Sequence, residues 1–353
     1  MTAMSSPAEP LPAKRRVVFV VGSGRSGTST MSGTLQTLGM HVPQPEVSAD
    51  ETNPKGFGEP QWVVDFHDEL LRRCNVQVSD SRPQAWFEAG KLSNLEPLRG
   101  RLRDWLETQF LEGGPELVVK DPRLAWFMGL WRSAAMRCDA TPAYVTMLRP
   151  VTEVVGSKQK YYASRFGEVN RTAAWVNMML HTERGTRGSA RAFVRYHDML
   201  TDWTVPLFGI GQQFDLEAVK SASANDIRAV HAFIDPNLRR VQLTWDDVDV
   251  PPRLREIAEE SWQGLNTLAE PGGDTPDVHA TLDQLRAAYA DLYDEAEAIA
   301  QSTALAAHRD GLAQQPMSTQ VTRRGVDRVP HGVRAMVPAS ARRGLRRALG
   351  RER

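Results

Sequence analysis

A chain of 353 residues with 41% hydrophobic and 7% aromatic side chains can bury a substantial core, which excludes a disordered chain, and its length allows two or three domains of ~150 residues or one large α/β unit with tails. Its 43 Lys plus Arg balance 43 Asp plus Glu, but residues 321–353 hold ten Arg against Asp327 and Glu352, so a tail of net +8 is set against −8 elsewhere. Cys74 and Cys138 are too few for a disulfide framework and lack paired metal-ligand spacing, which fits a reducing compartment and predicts no metal site.

Residues 1–15 carry three prolines and no apolar signal region, and no run near them approaches the ~20 residues that span a bilayer, so the chain reads as cytoplasmic. Val17–Val21 is five β-branched and aromatic residues without polar alternation, the pattern of a strand covered on both faces in a parallel sheet. Gly22-Ser23-Gly24-Arg25-Ser26-Gly27 ends it, and Thr28 to Gly39 reads as a helix with Met31, Leu35 and Leu38 at helical spacing. His41 to Pro60, with four prolines, two glycines and four carboxylates, describes a long surface loop of the kind that carries function.

Gln61 to Arg73 and Leu95 to Leu111 read as amphipathic helices, and Leu117-Val118-Val119 as a strand entering Lys120-Asp121-Pro122-Arg123. Ala143 to Leu148 is a third strand; Pro150 then opens a helix to about Tyr162, a further helix covers Val169 to Arg184, and Ala192 to Tyr196 is a fourth strand. The chain beyond Leu200 reads as helical, most clearly over Thr281 to Ala300, and residues 301–320 read as a polar linker. Strands alternating with helices predict an α/β class with a central, mainly parallel sheet and a helical C-terminal region. The domain is expected over 16–305, and 306–353 form a linker and Arg-rich tail.

The glycine loop can cradle an anion, because backbone N–H groups of a tight turn and of a helix's first turn converge on one concavity that the helix dipole also favours. It is not an ATPase loop: GxxxxGK(S/T) matches at Gly22 and Gly27, but Thr28 stands where the β,γ-phosphate lysine belongs. A dinucleotide fingerprint matches at Gly22, Gly24 and Gly27, yet no acidic residue closes a second strand about 20 residues later. Arg25, Ser26, Thr28 and Ser29 supply a guanidinium and three hydroxyls that can hold phosphate oxygens without magnesium.

Val20 to Ser29 resembles the 5′-phosphosulfate-binding loop of sulfotransferases that use 3′-phosphoadenosine-5′-phosphosulfate (PAPS). A second match agrees: in that family an Arg at a strand end and a Ser eight residues later hold the 3′-phosphate, and Arg149 and Ser157 have this spacing. Eight residues are just over two helical turns, which leaves both on one side of the segment. Val118 to Pro122 resembles the strand end from which the family projects a lysine, here Lys120, toward the transferring group. Arg195 to Leu200 resembles the segment whose tyrosine, here Tyr196, lies near the adenine. Phe233 to Arg240 resembles a late segment of bacterial members. The likeness covers about residues 15–245 and implies a three-layer αβα fold of P-loop type.

The resemblance implies in-line sulfuryl transfer from PAPS to a hydroxyl, a reaction like phosphoryl transfer in which the protein positions and neutralises. Gly24, Arg25, Ser26, Gly27, Thr28, Ser29, Arg149, Ser157 and Tyr196 would hold the nucleotide, and Arg25 and Lys120 the sulfuryl and bridging oxygens. The histidine base of animal members is absent, since Pro122 occupies its place, and a loop glutamate used by related families points to Glu59 as base, with Glu46 and then Asp121 behind it. His41 and His67 read as structural. Trp62, Phe66, Trp86, Phe87, Trp105, Trp126, Phe127 and Trp131 read mostly as core, with some expected to line a pocket for a hydroxylated small molecule, lipid or glycolipid. The tail fits an anionic membrane surface better than nucleic acid, because no aromatic residue interleaves with its arginines. A P-loop kinase with an unorthodox loop and a non-catalytic nucleotide-binding module are the competing readings.

Overall fold

The computed structural model describes residues 14–50, 53, 55–161, 167–235 and 242–313. Residues 1–13, most of the Phe233 to Arg240 segment and the Arg-rich tail lie outside the described residues.

The chain runs β1 (Arg16–Val21), α1 (Thr28–Thr37), α2 (Gln61–Cys74), α3 (Ala85–Leu92) and α4 (Glu96–Gly113) into β2 (Glu116–Lys120). A 3-10 turn at Pro122–Trp126 and α5 (Met128–Arg137) lead to β3 (Thr141–Leu148), and α6 (Val151–Tyr161) and α7 (Glu168–Thr186) to β4 (Ala190–Arg195). Thereafter the chain is helical: α8 (Tyr196–Asp202), α9 (Thr204–Gln213), α10 (Glu217–Lys220), α11 (Ala224–Phe233), α12 (Pro252–Thr267) and α13 (Pro276–Ala313).

The four strands are parallel in the order β2-β1-β3-β4. β1 is fully buried from Val17 to Val21, as its unbroken apolar run requires, and its alternate side chains enter two different cores. Val17, Phe19 and Val21 join Phe66, Leu102, Phe127 and Trp131 on one face, whereas Val18 and Val20 join Met31, Leu35, Met199 and Leu207 on the other. A third cluster packs Val154, Trp175 and Val176 of α6 and α7 against Ile257 of α12 and Leu282 of α13.

Two elements depart from expectation. Tyr196 opens α8 rather than closing β4, because the sheet register ends at Leu148 opposite Arg195. Residues 301–313 are helical, not linker: Ala304, Ala306 and Ala307 favour a helix even where every described side chain is exposed. The chain divides after Tyr293 into two units, the first holding the sheet and the second, from Asp294, helical as far as Ala313. No helix among the described residues is long and apolar enough to cross a membrane.

The topology decides where a ligand can bind. From β1 the chain goes to β2 on one side and then to β3 on the other, so the strand order reverses between β1 and β3. Parallel sheets of this kind open a crevice at the carboxyl ends of the strands at such a point. The Gly22 to Gly27 loop, Lys120, Arg149 and Tyr196 all follow strand ends on that edge.

Candidate active site

The loop after β1 is held from below and left open above. Gly22 has φ +129° and approaches β3 so closely that a Cβ would lie 2.8 Å from the Met147 carbonyl oxygen. Gly27 has φ +94°, and a Cβ there would lie 2.2 Å from Cδ2 of Tyr196. Ser26 Oγ donates to the Ser23 carbonyl at 2.6 Å, so this hydroxyl shapes the loop from within. Gly27 begins α1 in the left-handed conformation and no side chain caps it, which leaves the first N–H groups of the helix for a ligand.

Arg149, Ser157 and Arg25 come together beside this loop. Arg25 Nε donates to Ser157 Oγ at 3.1 Å, and Arg149 Nη1 donates to the Arg25 carbonyl at 3.1 Å. Arg149 and Ser157 are both buried. A buried carboxylate one helical turn on, Glu153, accepts from Arg149 Nε at 2.8 Å, and the guanidinium lies 5.2 Å from the centre of the Tyr196 ring. Tyr196 is thus packed between Gly27 and Arg149, and burial raises its pKa.

Lys120 and Glu59 form the second cluster. Lys120 Nζ, 2% exposed, donates to Glu59 Oε1 at 2.5 Å and lies 3.4 Å from Ser29 Oγ of the first turn of α1. Asn53 Nδ2 reaches the same Ser29 hydroxyl at 3.2 Å, which ties the long loop to α1. A lysine this deeply buried needs a counter-charge, and breaking such a pair typically costs about 3–5 kcal/mol. Glu59 immediately precedes α2, yet its carboxylate faces Lys120 at 2.5 Å and Arg123 at 3.9 Å, not the N–H groups of that helix.

The other base candidates are engaged elsewhere. Glu46 accepts from Gln36 at 2.9 Å and Gln44 at 2.6 Å. Asp121 is fully buried, caps the 3-10 turn through the Arg123 N–H at 2.8 Å, and faces His67 Nδ1 at 3.1 Å. Trp131 Nε1 is 2.8 Å from His67 Nε2 and an indole nitrogen only donates, so Nε2 accepts and Nδ1 carries the proton toward Asp121. Against the burial that opposes it, the hydrogen bond from His67 and the charge of Arg123 hold the Asp121 pKa below the usual carboxylate range. His41 stands 3.5 Å from Gln109.

A cleft of about 780 Å³ opens beside Gly24 and Glu59. Its apolar lining is Val47, Phe57, Val64, Leu71, Val76 and Val78, and its polar lining includes Asp68, Arg123, Lys158 and Arg171. None of the eight aromatic residues considered for this wall lines it. Phe66, Trp126, Phe127 and Trp131 are buried in the core, Trp62, Trp86 and Trp105 pack against it, and Phe87 is exposed. Their helical spacing recorded core packing, and the pocket is walled instead by Val47, Phe57, Val76 and Val78 of the connecting loops and by Val64 and Leu71 of α2.

Sequence reasoning passed over Glu153, Asn53 and Lys158. The first sits four residues after Arg149, a readable ion-pair spacing. The other two carry no local signal, because their partners Ser29 and Ser23 lie 24 and 135 residues away.

No protein-family model and no curated protein matches the chain. Solved structures to which it is similar are sulfotransferase domains. That of the Synechococcus PCC 7002 olefin synthase is 16% identical with a TM-score of 0.44, over 76% of this chain and 99% of that one. The sulfotransferase domain of the curacin biosynthetic pathway is 13% identical with a TM-score of 0.40, over 69% and 96%. Sulfotransferase STF1 of Mycobacterium tuberculosis H37Rv is 18% identical with a TM-score of 0.35, over 63% and 77%. At these identities and scores the likenesses decide nothing about chemistry, which the residues of the site have to supply.

Proposed function

We propose that this chain is a sulfotransferase that moves the sulfuryl group of PAPS to a hydroxyl of a molecule in the cleft. The observation that carries this reading is the meeting, at one edge of the sheet, of an uncapped glycine loop, the Arg25–Ser157–Arg149 cluster and the Lys120–Glu59 pair. The cradle fits a nucleotide charged at both ends: the N–H groups of the first turn of α1 suit a 5′-phosphosulfate, and Arg149 with Ser157 suits a 3′-phosphate.

In this reading Arg25, Thr28, Ser29 and Lys120 neutralise charge on the sulfuryl and bridging oxygens as it develops, the kind of preorganised stabilisation that dominates such transfers. Arg25 is a poor proton donor, so it acts by charge. Glu59 accepts the proton of the acceptor hydroxyl while the new O–S bond forms and the S–O bond to the 5′-phosphate breaks. Lys120, held beside it, stabilises the leaving oxygen. Tyr196 positions Arg149 through its ring face. The apolar walls suit a hydroxylated lipid or similar small molecule.

Calorimetric titration with adenosine 3′,5′-bisphosphate against AMP, ATP and NAD tests the assignment. The bisphosphate should bind tightest, and Ser157→Ala combined with Arg149→Lys should weaken it by about 10- to 100-fold, the worth of a charged hydrogen-bonding pair. AMP binding as tightly as the bisphosphate would overturn the assignment.

A further inference from the structure

The two buried lysines at this site differ in their partners. Lys120 has Glu59. Lys158, on α6 and 6% exposed, reaches only hydroxyls, with Nζ 3.1 Å from Ser23 Oγ and 3.2 Å from Ser79 Oγ. Among the described residues it forms no ion pair with a carboxylate. Burial, and then the charge of Arg171, draw its pKa down to about 8, so near neutral pH it is an ammonium ion next to a second cation. A desolvated charge without a counter-ion is costly, and such arrangements concentrate where a ligand completes them.

The surroundings of Lys158 are rigid. Ser79 sits in a loop knotted by Asp80, which accepts the Gln77 N–H at 3.0 Å, the Arg82 N–H at 2.9 Å and the Arg82 guanidinium at 2.7 Å. Asn177 Nδ2 of α7 holds the Asp80 and Arg82 carbonyls, both at 2.9 Å, and the Tyr289 hydroxyl donates to the Ser81 carbonyl. The cleft's own carboxylates are already engaged, Glu59 by Lys120 and Asp68 by Arg123 at 2.8 Å.

We infer that the α6–α7 end of the cleft is a subsite for an oxyanion of the acceptor, a carboxylate or a phosphate monoester, held by Lys158 and Ser79 with Arg171 adding charge. The acceptor is then an amphiphile whose hydroxyl meets Glu59, whose chain lies along the valines and Phe57, and whose acidic group ends at Lys158. The role of its hydroxyl rests on the sulfotransferase reading; the anion subsite does not.

The test is a set of binding titrations at pH 7, with and without saturating adenosine 3′,5′-bisphosphate. The probes are 10-hydroxydecanoate, 10-hydroxydecyl phosphate and, as the uncharged control, 1,10-decanediol. At least one acid should bind about 10-fold or more tightly than the diol, the worth of a charge-assisted hydrogen bond, and whichever acid binds tighter names the group. Lys158→Met should reduce the acids to the level of the diol, and Lys158→Arg should keep the preference. Removing an unpaired buried charge does not threaten folding, and Lys158→Gln gives a second neutral variant. Equal affinities of acids and diol, or a preference that survives Lys158→Met, overturn the subsite. So does a loss of bisphosphate affinity in Lys158→Met, which would put Lys158 in the nucleotide site. A failed sulfotransferase reading looks different: the bisphosphate would bind no better than AMP while the preference for acids remained.

Discussion

Cradle and cleft share one edge of the sheet but are assembled in different ways. The cradle takes Gly22 to Thr28, Arg149, Ser157 and Tyr196 from the strand ends and the turns just beyond them, and each is held by a close backbone approach or a short hydrogen bond. Its fixed charges are arginines, which stay charged at any working pH. The cleft takes Glu59, Ser79, Lys158 and Arg171 from loops and helices far apart in the chain, and burial draws the pKa of its Lys158 down to about 8. A cradle of fixed charge can be built from local geometry, whereas a pocket walled by segments far apart in the chain has to be assembled by the tertiary fold.

The sharpest way to separate the regions is through catalysis. Glu59→Gln keeps an acceptor for the Lys120 hydrogen bond but cannot take a proton, so turnover should fall about 10²- to 10⁴-fold while bisphosphate affinity measured by calorimetry stays at the wild-type value. Normal turnover would remove Glu59 as the base and return the role to Glu46 or Asp121, at the expense of the contacts that hold them.

Next in size is Gly27→Ala. It forces a Cβ to 2.2 Å from the Tyr196 ring at φ +94°, and should cost roughly 2–5 kcal/mol of stability in urea titration through combined overpacking and backbone strain. Bisphosphate affinity should fall with it. An unchanged midpoint would mean that the cradle is looser than its contacts imply.

A third measurement sets both regions against the buried interior of α7, through pH. His181 lies on α7, the helix that carries Arg171, and stacks on Trp86 at 5.1 Å with its ring buried. Burial first, then the charges of Arg286 and Arg184, pull its pKa from the ordinary 6.5 to about 4. Between those values the unfolded chain binds a proton that the fold refuses, so stability falls as pH drops from 6.5 toward 4. His181→Leu should flatten that slope by about 1–3 kcal/mol across the window, read as urea midpoints at each pH. A slope identical to wild type would show that other groups dominate it.

The smallest effect belongs to Gly56, in the loop before Glu59. Its φ is +85°, but a Cβ there meets nothing within 4 Å, so Gly56→Ala should cost only the backbone strain of about 1 kcal/mol. A cost as large as that of Gly27→Ala would erase the contrast between a packed cradle and an open cleft loop.

Much of the cradle was legible because its signals are local. An unbroken apolar strand, glycines at a tight turn, and Arg149 eight residues before Ser157 each constrain a short stretch of backbone. On the cleft side only Glu59, and Lys120 buried beside it, were legible. Asn53 and Lys158 went unread, and of the eight tryptophans and phenylalanines assigned in part to the pocket seven lie in or against the core and Phe87 is exposed, because spacing along a helix says which residues share a face but not what that face meets. Likewise 301–313 read as linker from their polarity, though alanine-rich backbone closes a helix without burial.

The sequence by itself determined the alternation of strands and helices, the tight glycine turn between β1 and α1, and the eight-residue spacing that leaves Arg149 and Ser157 both beside Arg25, since backbone sterics and helical periodicity act over a few residues. Only the tertiary structure decided that the strand order reverses between β1 and β3, that Lys120 meets Glu59 across 61 residues, and that Lys158 is left among hydroxyls. These depend on which distant segments are packed together and kept from water, and burial is what turns an ordinary lysine into a charge that needs a partner.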